Sequence, residues 1–228
     1  MMKFFMTPGS CATGIHILLE ELDLLFEVHP VNLLAGEHTT PQYRALNPKS
    51  TIPALVLDDG RVVTEFQAIA WWLGRHYPGA GLLPETADEE VRVLEVMDYV
   101  VGTLHMQGFA RIFTTEQFTP NGVDHHAVRS QGREIIDNAF AVIDASFSEH
   151  AYVVDNFSVA DAALFYTEFW AQHSDISLPA RCVAHYQRML ARPAVRRDAA
   201  RPAPGGLSRP WPGPCPAGPR NIPPPCAG

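Results

Sequence analysis

Two side chains suited to sulfur or acyl chemistry stand side by side near the beginning of the chain. In the segment TPGSCATGIH (residues 7–16), Ser10 and Cys11 follow a Pro-Gly turn and come just before an apolar helical pattern. The positive end of a helix dipole lowers the pKa of a thiol or hydroxyl, or stabilises a bound thiolate directly. An isolated cysteine is more often a buried apolar residue than a nucleophile. The segment therefore offers Ser10 and Cys11 as candidate reactive groups and leaves the choice open.

The segments around this turn alternate between strand and helix patterns. Asp59-Gly60 predicts a tight two-residue turn between two strands, because this pair accepts positive φ angles. The predicted order is β-α-β-α-β-β-α, the topology of a thioredoxin-like domain over residues 1–77. Its elements are the strand KFFMT, the helix IHILLEEL, the strand FEVHPVNL, a short helix from near Thr40, the strands ALVLD and RVVTE, and the helix FQAIAWWLGRHY.

A different pattern follows residue 77. Proline and glycine in residues 78–87 predict a linker, and residues 88–200 predict an all-α C-terminal domain. Within it, Ser158 and Asp161 have the spacing of a helix capping box, which is a structural feature. Residues 201–228 hold ten of the chain's twenty prolines, and we expect a disordered tail there. The helical patterns cover residues 88–112, 124–147, 159–172 and 180–190.

The charge of the chain argues against polyanionic partners. The formal net charge of the chain is −8. Three arginines and no acidic residue follow residue 200, so residues 1–200 contain 14 basic and 25 acidic residues and have a net charge of −11. Such a body repels nucleic acid and anionic membranes. No apolar run reaches the length of a membrane span or of a signal-peptide core.

The cysteines predict free thiols in a reducing, cytoplasmic setting. None of the four has the C-x-x-C spacing of a metal site or a dithiol redox centre. His125 and His126 are adjacent on a predicted helix and point in different directions, so we expect no metal there. The four cysteines are Cys11, Cys182, Cys215 and Cys226.

Three motifs carry a resemblance to a known family. NPKSTIPALVLDDG (residues 47–60) followed by VVTEFQAIAWWL resembles the glutathione-binding half of the cytosolic glutathione transferase superfamily, and FSVADAAL resembles its capping motif. The resemblance covers about residues 2–200. It implies a homodimeric detoxification enzyme that binds glutathione as a thiolate and conjugates it to small hydrophobic electrophiles, or uses it in thiol exchange or peroxide reduction, with no metal.

The same resemblance assigns glutathione-binding residues. It implies a cis peptide bond before Pro53, in a loop with Thr51, so that the backbone of Ile52 pairs with the extended tripeptide. It implies that Glu65 pairs with the ammonium group of the ligand by charge. The backbone N–H groups of Phe66 and Gln67, at a helix start, take the neighbouring carboxylate. Most members of the family have a serine where this chain has Phe66, which leaves only the backbone contact.

Pro8-Gly9-x-Cys11 with His16 resembles the bacterial beta class, whose cysteine contacts the glutathione sulfur, and favours Cys11 over Ser10. His105, in VGTLHMQGFARIF, partly matches the beta-class histidine that faces the active site. Met106 replaces a lysine of that segment, however, and one extra residue precedes Phe109. His105 is therefore either a site residue or an ordinary helix-face histidine.

AGEHTTPQYRALNP (residues 35–48) resembles theta-type sequences, in which the histidine after Gly-Glu binds the glycine carboxylate of glutathione. That residue is His38 here, either a ligand or simply solvated, and Lys49 is placed to assist it.

Two alternatives stay open. GSCATG distantly resembles the start of maleylacetoacetate isomerases, although it lacks their arginine. A transferase-fold binding or regulatory protein without turnover would share the same fold.

Overall fold

The computed structural model describes residues 1–147 and 151–200, with side chains up to Arg197. The predicted tail at 201–228, with Cys215 and Cys226, lies outside the described residues. Within the described ranges no helix is both long and apolar enough to cross a membrane. The two remaining cysteines, Cys11 and Cys182, are free thiols.

The first part of the chain has the predicted order of elements. The strands are β1 (Met2–Met6), β2 (Phe26–Pro30), β3 (Ala54–Val56) and β4 (Val62–Thr64), and the helices are α1 (Ala12–Glu21), α2 (Pro41–Leu46) and α3 (Phe66–His76). The sheet order is β2-β1-β3-β4, with β1 parallel to β2 and the other pairs antiparallel. This mixed sheet confirms the thioredoxin-like fold class.

The hairpin between β3 and β4 differs from the prediction in its turn. Leu57 N–H donates to the carbonyl oxygen of Arg61, so the loop contains three residues and not two. Gly60 has φ 85°, the left-handed conformation that closes a three-residue hairpin loop. Asp59 accepts from the Arg61 backbone N–H, which fixes the loop from its other side.

The second part of the chain is helical, as predicted. It contains α4 (Ala87–Asp98), a π-helix (Tyr99–Phe109), α5 (Ala110–Phe113), α6 (His125–Ser146), α7 (Val159–Gln172), α8 (Ala180–Ala191) and α9 (Pro193–Ala200). The Ser158–Asp161 capping box at the start of α7 is confirmed. Helix α9 was not predicted from the sequence. The π-helix was predicted as part of one continuous α-helix over residues 88–112.

Helix α1 lies in the middle of the molecule. Residues 12–20 are all buried, because α3, α7 and α9 pack against α1, and the rings of Phe4 and Phe26 in the sheet contact His16. Gly14 permits the close approach of α7: a β-carbon there would lie 2.5 Å from the carbonyl oxygen of Ala162. Two ion pairs, Arg192 with Glu21 and Arg197 with Glu20, hold the end of the described chain against α1.

A fully buried charged cluster joins α7 to α8. Nδ1 of His185 lies 2.8 Å from Oε2 of Glu168, and Nε2 lies 3.1 Å from Oδ1 of Asp161. All three side chains are 0% exposed. Burial alone would lower the pKa of His185, but the charges and hydrogen bonds of Glu168 and Asp161 raise it to about 9, so at neutral pH both ring nitrogens carry a proton and donate.

Candidate active site

The turn before α1 distinguishes the two candidate reactive groups. The Ser10 hydroxyl donates to the carbonyl oxygen of Thr7 at 2.6 Å and accepts from the backbone N–H of Ala12 at 3.2 Å. Cys11 occupies the cap position of α1, and its side chain makes no capping hydrogen bond. Ser10 thus stabilises the turn, which supports the preference for Cys11 as the reactive group.

Burial controls the acidity of Cys11. The residue is only 9% exposed, and this burial raises the pKa of its thiol to about 12. The nearby backbone N–H groups of Cys11 and Ala12 lower the pKa, but by less, and the negative charge of Glu65 raises it further. The helix start thus lowers the pKa of the Cys11 thiol as expected, but burial outweighs this effect and the net pKa is raised. At neutral pH it is a protonated thiol and a potential S–H donor.

The loop before β3 has the predicted cis bond between Ile52 and Pro53. Two side chains fix this loop by hydrogen bonds. The carbonyl oxygen of Thr51 accepts from the Tyr43 hydroxyl at 2.7 Å and from the Asn47 side-chain amide at 2.8 Å. Thr51 is exposed and Ile52 is partly buried. The loop therefore forms a rigid, partly open edge beside the sheet.

Glu65 lies at the start of α3 in an unusual backbone conformation. Its φ is 74° and its ψ 132°, values that side-chain-bearing residues rarely adopt and that occur most often at functional sites. The carboxylate is exposed and pairs with the Lys49 ammonium, with 2.7 Å between Oε1 and Nζ. Lys49 and Glu65, predicted as separate ligand contacts, are thus neighbours.

The first turn of α3 shows how this chain uses Phe66. Its ring is buried between α1 and α7, where it packs edge-on against Tyr166 at 5.3 Å and would touch any side chain at position 14. The Phe66 side chain therefore belongs to the contact between α1, α3 and α7. The Gln67 side-chain amide donates to Oδ1 of Asp98 at 2.8 Å and ties this turn to α4.

His105 lies in the π-helix and faces the core of the site. Nδ1 lies 3.2 Å from the Tyr166 hydroxyl, and its ring meets Trp170 edge-on at 4.7 Å. Burial lowers the pKa of His105 to about 4, so it is neutral at pH 7. Trp170 Nε1–H donates to the carbonyl oxygen of Gly9 at 2.7 Å. His105 is therefore linked through Trp170 to the turn that carries Cys11.

Tyr166 and Trp170 lie beside His105 and the Cys11 turn, and neither was among the predicted site residues. Burial, with a smaller contribution from the neighbouring Cys11, raises the pKa of Tyr166 well above its ordinary value, so its hydroxyl keeps its proton. One signal pointed to this region: the extra residue between His105 and Phe109. A π-helix contains more residues per turn than an α-helix, and such segments are frequent at functional sites.

His38 stands apart from these residues. It lies in a short 3₁₀ turn (Glu37–Thr39) after Gly36, whose φ is 73°. In the described ranges, His38 makes no hydrogen bond or ion pair to Lys49 or Glu65, and its Nδ1 is buried without a hydrogen-bond partner. Among residues 1–147 and 151–200, no group of three or more histidine, cysteine, aspartate or glutamate side chains could hold a metal ion.

Comparisons with known proteins agree with this geometry. Residues 9–76 match the family model of the glutathione S-transferase N-terminal domain. The chain is 33% identical over 202 residues to glutathione S-transferase GstA of Escherichia coli O157:H7, which covers 86% of this chain and 96% of the relative.

Solved structures give the same result at the level of the whole fold. A glutathione transferase homologue from Sulfitobacter, solved with bound glutathione, superposes with a TM-score of 0.80 at 25% identity, covering 86% of this chain and 96% of that one. A beta-class glutathione S-transferase from Sphingomonas chungbukensis gives a TM-score of 0.74 at 28% identity with the same coverage. The fold, the site and the E. coli relative together place this chain in the glutathione S-transferase family.

Proposed function

We propose that the protein is a glutathione transferase in which the N-terminal half of the site binds glutathione and the helical half binds a small hydrophobic electrophile. The observation that carries the proposal is the exposed carboxylate of Glu65, fixed at the start of α3 by a strained backbone. A glutathione ammonium would bind Glu65, and its neighbouring carboxylate the N–H groups of Phe66 and Gln67. The edge at Thr51, Ile52 and Pro53 would pair with the peptide backbone, and His38 and Lys49 would bind the glycine carboxylate.

In conjugation, the protonated thiol of Cys11 would donate a hydrogen bond to the glutathione thiolate. The thiolate attacks the electrophilic carbon, a carbon–sulfur bond forms, and the leaving group departs with the electron pair. The glutathione proton passes to solvent. In thiol exchange, Cys11 would instead attack a glutathione disulfide: a mixed disulfide with Cys11 forms, the glutathione disulfide bond breaks, and the Cys11 proton passes to the released glutathione thiolate.

An aromatic surface supports a hydrophobic electrophile. Phe113 is 50% exposed, stacks on the buried Phe109 at 5.6 Å and meets Trp170 edge-on at 5.4 Å. Trp170 is hydrogen-bonded to Gly9 in the turn that carries Cys11, so these rings extend from that turn to the surface. A planar aromatic halide fits this chemistry because aromatic rings favour offset or edge contacts.

The test is binding to immobilised glutathione, followed by conjugation of glutathione to 1-chloro-2,4-dinitrobenzene. We expect Cys11→Ala to lower kcat/KM about tenfold, since a hydrogen bond to a charged group is lost. Cys11→Ser keeps a donor, so it should retain most of the conjugation and lose the mixed disulfide. Absence of both binding and turnover in the wild type would overturn the proposal, and full conjugation and thiol exchange by Cys11→Ala would make Ser10 the better candidate.

Dimerisation and a reducing cytoplasmic location belong to the same proposal. A homodimer would have about twice the 25.2 kDa mass of the chain, which light scattering after size-exclusion chromatography measures directly.

A further inference from the structure

The Lys49 ammonium is paired with the Glu65 carboxylate, which is the group that would bind the ammonium of glutathione in the proposed function. Nζ lies 2.7 Å from Oε1 of Glu65 and donates a second hydrogen bond to Oγ1 of Thr64 at 2.8 Å. We propose that Lys49 is a built-in competitor: the ligand ammonium displaces it from Glu65, and the released lysine then binds the glycine carboxylate. This inference rests on glutathione being the ligand.

The backbone around Lys49 is fixed, so the exchange involves its side chain alone. The Lys49 N–H donates to Oδ1 of Asn47, whose side-chain amide donates to the carbonyl oxygen of Thr51. Asn47 is buried, whereas the Lys49 side chain is 53% exposed. A flexible four-carbon stem anchored on a rigid loop can change partners without any movement of the loop.

The Glu65 side of the pair is fixed as well. Its carbonyl oxygen accepts the N–H of Ile69 in the first turn of α3, and its φ of 74° is held by the turn that joins β4 to this helix. The backbone that carries the carboxylate therefore stays in place while the cationic partner of Glu65 changes. One ion pair within the protein becomes two between protein and ligand, because glutathione carries an ammonium and two carboxylates.

The expected effect of the competition is small. Both partners are more than half exposed, and exposed ion pairs contribute about 0.2–1 kcal/mol, which corresponds to roughly a 1.5- to 5-fold change in affinity. A test must therefore separate the loss of competition from the loss of the carboxylate contact. γ-Glutamylcysteine achieves this, since it keeps the ammonium and lacks the glycine carboxylate.

The experiment is calorimetric titration of the full chain with glutathione and with γ-glutamylcysteine. Lys49→Met should tighten γ-glutamylcysteine about two- to fivefold, because the competitor is removed and no contact is lost. The preference for glutathione over γ-glutamylcysteine should fall by a similar factor. Lys3→Met is the matched control: it removes the chain's other lysine, which is exposed on β1, and should change neither affinity.

The outcomes separate the inference from the proposed function. If the wild type fails to bind glutathione, the proposed function and this inference fall together. If the wild type binds and Lys49→Met leaves γ-glutamylcysteine unchanged or weaker, only the competitor role is overturned. Equal tightening of both ligands by Lys49→Met would overturn the transfer of Lys49 to the glycine carboxylate.

Discussion

Two charged clusters in this molecule have similar distances and opposite surroundings. Lys49 and Glu65 approach to 2.7 Å with more than half of each side chain in solvent. His185 approaches Glu168 to 2.8 Å with every participating side chain fully buried. Solvent weakens the first pair, whereas removal of one partner from the second leaves a charge in an apolar interior.

This contrast separates the roles of charge in the two halves of the protein. The exposed pair contributes little to folding and can exchange partners, as ligand recognition requires. The buried cluster has no route to solvent or ligand, so its role is to hold α7 against α8. Helix α7 also carries Tyr166 and Trp170, so the buried cluster positions the aromatic half of the site indirectly.

The largest expected effect comes from breaking the buried cluster. Glu168→Ala removes one partner of the buried imidazolium and should lower the free energy of unfolding by about 3–5 kcal/mol. Urea denaturation followed by circular dichroism measures the change. Glu168→Gln keeps an acceptor for Nδ1–H and should cost less. A loss below about 1 kcal/mol for the alanine variant would show that this cluster behaves like a surface pair.

Alkaline pH should have the next largest effect. Burial alone lowers the pKa of His185, but the charges and hydrogen bonds of Glu168 and Asp161 outweigh it and raise the pKa to about 9. A folded-state pKa above the unfolded value of 6.5 stabilises the protein fully below pH 6.5. This contribution is lost as pH rises through 9, and it amounts to a few kcal/mol. His185→Gln should flatten the stability profile between pH 7 and 10, and an unchanged slope would exclude His185 as its source.

An intermediate case is the buried but uncharged contact between Tyr166 and His105. Tyr166→Phe deletes only the hydroxyl, and since His105 is neutral, we expect a loss of about 1 kcal/mol in unfolding free energy. Thermal unfolding of the two proteins gives the difference. A loss as large as that of Glu168→Ala would mean that burial alone, without charge, sets the cost.

The smallest effect on stability belongs to the exposed pair. Lys49→Met should change the free energy of unfolding by less than about 1 kcal/mol, and the difference should shrink further in 1 M salt, because exposed charges are screened. Chemical denaturation at low and high salt tests this. A larger, salt-independent loss would give Lys49 a structural role and remove the contrast with His185.

Most of the N-terminal fold could be predicted because its signals are local. Alternating strand and helix patterns, Pro53 and the Asp-Gly turn each act within a few residues of the chain, and the fold class follows from their order. The turn length was wrong because the Leu57–Arg61 hydrogen bond, and not the Asp-Gly pair, closes the hairpin. Helix α9 was missed because Arg192 and Arg197 find their acidic partners on α1, far away in sequence.

The candidate site shows the same difference between local signals, which could be predicted, and tertiary contacts, which could not. Glu65 and Cys11 were predicted as candidate site residues because each stands at a helix start within a recognisable motif. The net acidity of Cys11 could not be predicted, since the burial that raises its pKa comes from tertiary packing that a local motif does not contain. Tyr166 and Trp170 were not predicted individually, because they lie within an apolar helical segment. Only the folded chain brings them to His105 and to the Cys11 turn.

The hydrogen bond from Trp170 to Gly9 has an optical consequence. An indole whose N–H is bound to the backbone two residues before Cys11 senses any change of polarity or charge at that turn. Its emission wavelength and quantum yield would therefore follow events at the sulfur in real time. Trp170 is therefore an intrinsic fluorescent probe of the turn that carries Cys11.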